Sequence, residues 1–180
     1  MLDYVLPLSS ATGETTGTPS ALLNNPAALD GKRAQCASGQ PAVLIDLDPG
    51  TKLVALDRHL AANADLTRAL GYLRADGITL GWISGHPETQ RQNLRDLLVK
   101  SGLDPEGADP IVLARDDQGR KQDARRAFGS FYCLLAIGGD TRSDFDDVFD
   151  YLKNPADAAA LSPLIGQGWF LLPNPLSQSL

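Results

Sequence analysis

Residues 42–51 read Ala42-Val43-Leu44-Ile45-Asp46-Leu47-Asp48-Pro49-Gly50-Thr51. A strand with one wet face alternates apolar and polar side chains. The apolar run from Ala42 to Leu47 does not alternate, and so has the composition of a strand covered on both faces, as in a parallel sheet between helices. The run carries two acids one residue apart, Asp46 and Asp48, and then breaks at Pro49-Gly50, a turn pair. A buried strand delivering two carboxylates to its own carboxyl end sets the frame for the rest of the chain.

Outward from this stretch, apolar runs and helical spacings alternate. Leu66, Leu70 and Leu73 fall on one helical face, and Gly77 stops that helix. Ile78–Ile83 is the next apolar run. Pro87 suits the first turn of a second helix with Leu94, Leu97 and Leu98 on its inner face, ended by Gly102. A short strand at Ile111–Leu113, a helix around Arg125 and Arg126, and a strand at Phe131–Ile137 follow. Phe145, Val148, Phe149 and Leu152 predict a fourth helical face, and Trp169–Leu172 a last strand before Pro173. Strands alternating with helices through short links imply parallel strands and right-handed crossovers. The expected fold is α/β, a three-layer doubly wound parallel sheet formed by residues 41–180.

Residues 1–40 differ in character and are expected to form an N-terminal arm. Ser9 to Ser20, rich in Ser, Thr and Gly, reads as loop, and Ala21 to Leu29 as a short helix interrupted at Pro26. The chain has 180 residues, 43% of them hydrophobic, enough for one well-filled domain. Its net charge of -6 repels phosphate backbones, so nucleic acid is not an expected partner. No apolar run approaches the roughly 20 residues that cross a bilayer, so no membrane span is expected. The opening MLDYVLPLSSATGETTG lacks a basic region followed by a long apolar one, which is the pattern of a secretory signal. A trimmed mature chain would lack it too, so the sequence is consistent with a periplasmic or secreted protein as well as a cytoplasmic one. Of the two cysteines, Cys133 in FYCLLAI reads as a small buried apolar residue and Cys36 lies in a polar segment; a disulfide between them is allowed but not the expectation, since two cysteines do not make a framework.

In open α/β sheets, ligands bind beyond the carboxyl ends of the strands. There the sequence places Asp46 and Asp48, then Ser84 and Gly85 in WISGHPE, then Gly119-Arg120-Lys121, then Asp140 and Asp144 in IGGDTRSDFDD. Each alone has an ordinary reading: a strand-end acid as a cap or turn, Ser84 as a helix cap, Lys121 as a solvated lysine, the later acids as a solvated helix start. Their order carries more, because acids, a hydroxyl, a lysine and further acids follow successive strands. Such a set suits phosphoryl transfer. Clustered carboxylates need a cation, and hard oxygen ligands favour Mg²⁺. One carboxylate can attack phosphorus while a second handles the leaving group's proton. Lysine and hydroxyl groups can hold the phosphoryl oxygens.

Four stretches resemble the haloacid dehalogenase (HAD) superfamily, and within it the class B and class C acid phosphatases. AVLIDLDPGT is similar to the superfamily's first motif, and LAIGGDTRSDFDDVF at residues 135–149 to its fourth. KQDARRAF at residues 121–128 resembles the lysine motif with its trailing arginines, and GWFLLPNPL at residues 168–176 the closing strand and Pro-Asn-Pro turn. The resemblance implies a Mg²⁺-dependent phosphomonoester hydrolase working through an aspartyl-phosphate. Asp46 would be the nucleophile and Asp48 the general acid and base. Ser84, Gly85 and Lys121 would hold phosphoryl oxygens. Asp46, Asp140, Asp144 and the backbone carbonyl of Asp48 would hold the metal. The substrate would be a phosphorylated small molecule or other phosphate monoester. The link from Asp48 to Ser84 holds little beyond one helix, which implies a short or absent cap and an open site, covered by the arm or by a second copy of the chain in a homo-oligomer. Two residues, Pro49 and Gly50, separate Asp48 from Thr51, one more than in the family. That departure motivates the alternative, a catalytically impaired HAD-fold protein that binds a phosphorylated ligand or a protein partner.

Overall fold

The computed structural model describes residues 1–11, 17–36, 39–114 and 120–178. The elements run α1 (Leu2–Ala11), β1 (Pro19–Leu23), β2 (Arg33–Gln35), β3 (Pro41–Asp46), β4 (Leu60–Ala62), α2 (Ala64–Ala75) and β5 (Thr79–Pro87). They continue with α3 (Arg91–Ser101), β6 (Ile111–Ala114), α4 (Lys121–Phe131), β7 (Cys133–Gly139), α5 (Val148–Tyr151), β8 (Trp169–Leu171) and β9 (Leu176–Gln178). Among the described residues, five strands form a sheet in the order β6-β5-β3-β7-β8, with every neighbouring pair parallel. The expected α/β architecture is borne out, and β3 sits at the centre. No described helix is long and apolar enough to cross a membrane.

The two-faced burial read from the opening stretch has a direct counterpart. Val43 and Ile45 join a core with Leu70, Leu73, Leu80, Trp82, Leu94 and Leu98, under α2 and α3. Ala42 and Leu44 join a second core with Phe128, Leu134, Ile137, Ala158 and Leu161 on the opposite face. Successive residues of a strand point to opposite faces, so a strand between two cores must be apolar at every step. Burying each large aliphatic side chain contributes about 1.5–3 kcal/mol, and β3 supplies three of them at 0–1% exposure. Asn63 starts α2 by accepting the Leu66 N–H at 3.0 Å, and Gly77, at φ +76°, ends it in the left-handed turn that glycine tolerates.

The arm departs from expectation. Ser9 and Ser10 belong to α1, where Ser9 Oγ bonds back to the Leu6 carbonyl at 2.8 Å. Pro19 to Leu23 form a strand rather than loop or helix, paired antiparallel with β2, and only Pro26–Ala28 makes a 3-10 turn. Residues 12–16 of the expected loop lie outside the described residues. The strand wins because distant partners pay its local cost: Ala21 and Leu23 are buried, and Trp169 Nε1 donates to the Ala21 carbonyl at 2.8 Å. The cysteine reading also needs correction. Cys133 is fully buried, yet it is bonded to Cys36, with Cα atoms 4.8 Å apart and 97 residues between them in sequence. The end of β2 lies against the start of β7, a proximity no local pattern encodes.

The fourth helix is shorter than its spacing predicts. A 3-10 turn covers Arg142–Asp144, α5 spans only Val148–Tyr151, and a 3-10 stretch runs Pro155–Leu164. Asp146 and Asp147 are held by side chains of α4, and these contacts fix the chain where a longer helix would have begun.

Candidate active site

β3 ends at Asp46, and its ladder to β5 extends one step further through Leu47 N to Ile83 O at 2.9 Å. The acid at the strand end is therefore held rigidly, with its side chain 2% exposed. Asp46 Oδ1 accepts the Asp48 N–H at 2.8 Å. Lys121, the first residue of α4, sends its ammonium between the acids. Its Nζ lies 2.9 and 2.8 Å from the two Asp46 oxygens and 2.8 Å from Asp48 Oδ2.

Asp48 is the most heavily bonded acid of the set. Its Oδ1 accepts from Ser84 Oγ at 2.8 Å and Val54 N at 3.0 Å. Its Oδ2 accepts from Gly85 N at 2.7 Å and from Lys121. Ser84, Gly85 and Lys121, the three residues that the resemblance implies for phosphoryl oxygens, thus converge on one carboxylate. Asp140, just beyond β7, accepts the Gly50 N–H with both oxygens, at 3.1 and 3.0 Å. Gly50 adopts φ +56°, so the Pro49-Gly50 turn places this donor. Asp144 accepts the Thr141 N–H at 2.8 Å. Its carboxyl lies against Gly139, where an added Cβ would stand 2.4 Å from Asp144 Cβ.

The electrostatics follow from burial and charge count. Burial, opposed by Lys121 and reinforced by Asp144 and Asp48, pushes Asp46 up to about 7. Burial also works against the charge on Asp48, but Lys121 and the Gly85 and Val54 N–H groups outweigh it and hold that carboxyl below its ordinary range. Burial raises Asp144, partly offset by the Thr141 N–H. Burial opposes the Lys121 charge, yet Asp46 and Asp48 raise its pKa. Three buried acids, Asp46, Asp48 and Asp144, and the half-buried Asp140 against one lysine leave excess negative charge. The donors are all hard oxygens, the set a small divalent cation takes, so the residues fit such an ion by charge and ligand type. Among the described residues, no three His, Cys, Asp or Glu side chains already stand in a metal-holding array.

Sequence reasoning missed the support behind the site. Arg125 is fully buried. It donates to Gln122 Oε1 at 2.9 Å, to the Asp144 carbonyl at 3.1 Å, and to Asp147. Gln122 Nε2 in turn donates to Asp146 Oδ2 at 2.8 Å. This network ties the helix that carries Lys121 to the turn that carries Asp144; the arginines trailing the lysine were its signal. His86 bonds through Nε2 to the Val54 carbonyl at 2.8 Å, and its N–H donates to Ser84 Oγ at 3.2 Å. Thr51 is exposed. Gly119 lies outside the described residues.

No family model matches the sequence, and no curated protein matches it. Solved structures do. The chain is similar to the class C acid phosphatase from Bacillus anthracis, at 17% identity over 76% of this chain and 67% of that one, with a TM-score of 0.53. It is also similar to the structure of class C acid phosphatase from Bacillus anthracis with tungstate bound, at 15% identity over 96% of this chain and 73% of that one, with a TM-score of 0.58. The chain therefore shares its fold with the class C acid phosphatase from Bacillus anthracis.

Proposed function

We propose that the protein is a phosphomonoester hydrolase that forms an aspartyl-phosphate on Asp46. The carrying observation is the convergence of Asp46, Asp48, Ser84 Oγ, Gly85 N and Lys121 Nζ at the carboxyl edge of the sheet. Among the described residues, Asp46 Oδ1 is shared between the Asp48 N–H and Lys121, whereas Oδ2 is bonded to Lys121 alone. Oδ2 is therefore the oxygen free to attack phosphorus. Phosphoryl oxygens match the donors that now serve the Asp48 carboxylate, so a bound substrate takes over Ser84 Oγ, Gly85 N and Lys121 Nζ. Relieved of those donors, Asp48 takes up a proton from solvent, turns to the leaving oxygen and gives it that proton, and later takes a proton from the water that cleaves the acyl phosphate. Positioning and charge neutralisation supply most of the rate. A Mg²⁺ held by Asp46, Asp140, Asp144 and the Asp48 carbonyl would neutralise charge that builds on the phosphoryl oxygens.

The test is turnover of p-nitrophenyl phosphate with Mg²⁺. Wild type should release phosphate and Asp46→Asn should not. Equal rates in the two proteins, or none in wild type, would sink the proposal. One observation favours a second reading, binding without turnover: four donors keep Asp48 ionised, whereas a general acid must carry a proton. Inorganic phosphate binding in a wild type that does not turn over would select it.

A further inference from the structure

The peptide between the two acids is held at both ends. The Asp48 N–H donates to Asp46 Oδ1 at 2.8 Å, and the Leu47 carbonyl, on the same peptide unit, accepts from Asn174 Nδ2 at 3.3 Å. A peptide unit is planar, so its N–H and C=O turn together. A grip on the carbonyl therefore aims the N–H. On the other side, Leu47 N is tied to Ile83 O at 2.9 Å.

Asn174 is itself firmly set. Its Oδ1 accepts the Leu176 N–H at 2.9 Å, so exchanging amide oxygen and nitrogen would spoil both of its bonds. Pro173 and Pro175 flank it and restrict the backbone on both sides. The Pro175 carbonyl accepts the Asn63 N–H at 2.9 Å, and β9 pairs with β4. The turn thus holds the segment from Leu47 to Asn63 at its first and last residues.

We infer that Asn174 is a positioning residue for the nucleophile: by holding the Leu47 carbonyl it aims the Asp48 N–H at Asp46 Oδ1 and leaves Oδ2 to react. The inference rests on the hydrolase reading above. The strap has other anchors, the β4–β9 pairing and the Asn63–Pro175 bond, so losing the Asn174 amide should spare the fold.

Two variants separate positioning from structure. Asn174→Asp keeps the acceptor for Leu176 N and removes the donor to Leu47. Asn174→Ala removes both. With p-nitrophenyl phosphate and Mg²⁺, both should lower kcat by at least about tenfold, the scale of one well-placed hydrogen bond. KM and the melting temperature should stay near wild type, and the Asp48 amide should lose hydrogen-exchange protection. Wild-type kcat in either variant overturns the inference. So does a loss of kcat only in the Asp variant, which marks added charge, or a joint fall of kcat and melting temperature, which marks a structural role. A wild type that does not turn over overturns the hydrolase reading and this inference with it.

Discussion

Reducing the Cys36–Cys133 bond should lower stability by about 4–5 kcal/mol. The bond spans 97 residues of sequence. Closing a loop of that length in the unfolded chain removes about 16 cal/mol/K of entropy, or about 4.7 kcal/mol at 25 °C. The folded state loses little else, since Cys133 remains buried at the start of β7 and its N–H still donates to Gln40 O at 2.7 Å. In a chain of this size each kcal/mol moves the melting temperature by roughly 2–4 °C, so the drop should be about 10–20 °C. The assay is a thermal melt with and without reductant, repeated on Cys36→Ser, which should melt near the reduced wild type and ignore reductant. Two thiols titrating in unreduced, unfolded protein, or equal melting temperatures with and without reductant, would refute the reasoning.

Other outcomes follow from the site. Asp46 has a folded pKa raised to about 7 from 3.8. A raised pKa stabilises the folded state fully below the unfolded value and loses that contribution as pH climbs through the folded one, so in the metal-free protein the Asp46 contribution should fall by about 3 kcal/mol between pH 4 and 7. Denaturant titrations across that range check this, and Asp46→Asn should flatten the profile. Gly139→Ala would put a methyl 2.4 Å from Asp144 Cβ, so p-nitrophenyl phosphate turnover should fall by at least about tenfold while the sheet survives by circular dichroism. Arg125→Met should destabilise the protein by about 1–3 kcal/mol in urea unfolding, because it takes a donor from the buried Asp144 carbonyl and leaves Asp147 to Arg120, 3.8 Å away.

What could be read from the sequence followed from local physics. β3 was visible because a strand between two cores is apolar at every step, and α2 and α3 because three leucines on one face precede a stopping glycine. Asp46, Asp48, Lys121 and Asp140 could be picked out because each lies at or just past a strand's end or at a helix start, whereas Ser84 lies inside β5, which runs on to Pro87, and Asp144 closes a 3-10 turn. What stayed hidden depends on contacts across the chain. β1 owes its form to a bond from Trp169, 148 residues away. Nothing near Asp48 announces that its carboxylate folds back onto Val54 N, Ser84, Gly85 and Lys121. The three-residue strands β4 and β9 carry too little pattern to be seen before they are paired.

The central claim is that Asp46 becomes covalently phosphorylated. Rapid acid quench of the protein during turnover of p-nitrophenyl phosphate, followed by proteolysis and mass spectrometry, reads this out. One phosphoryl group is expected on the peptide that carries Asp46, and none in Asp46→Asn. Steady turnover with no adduct on that peptide, or with the adduct on another residue, would contradict it.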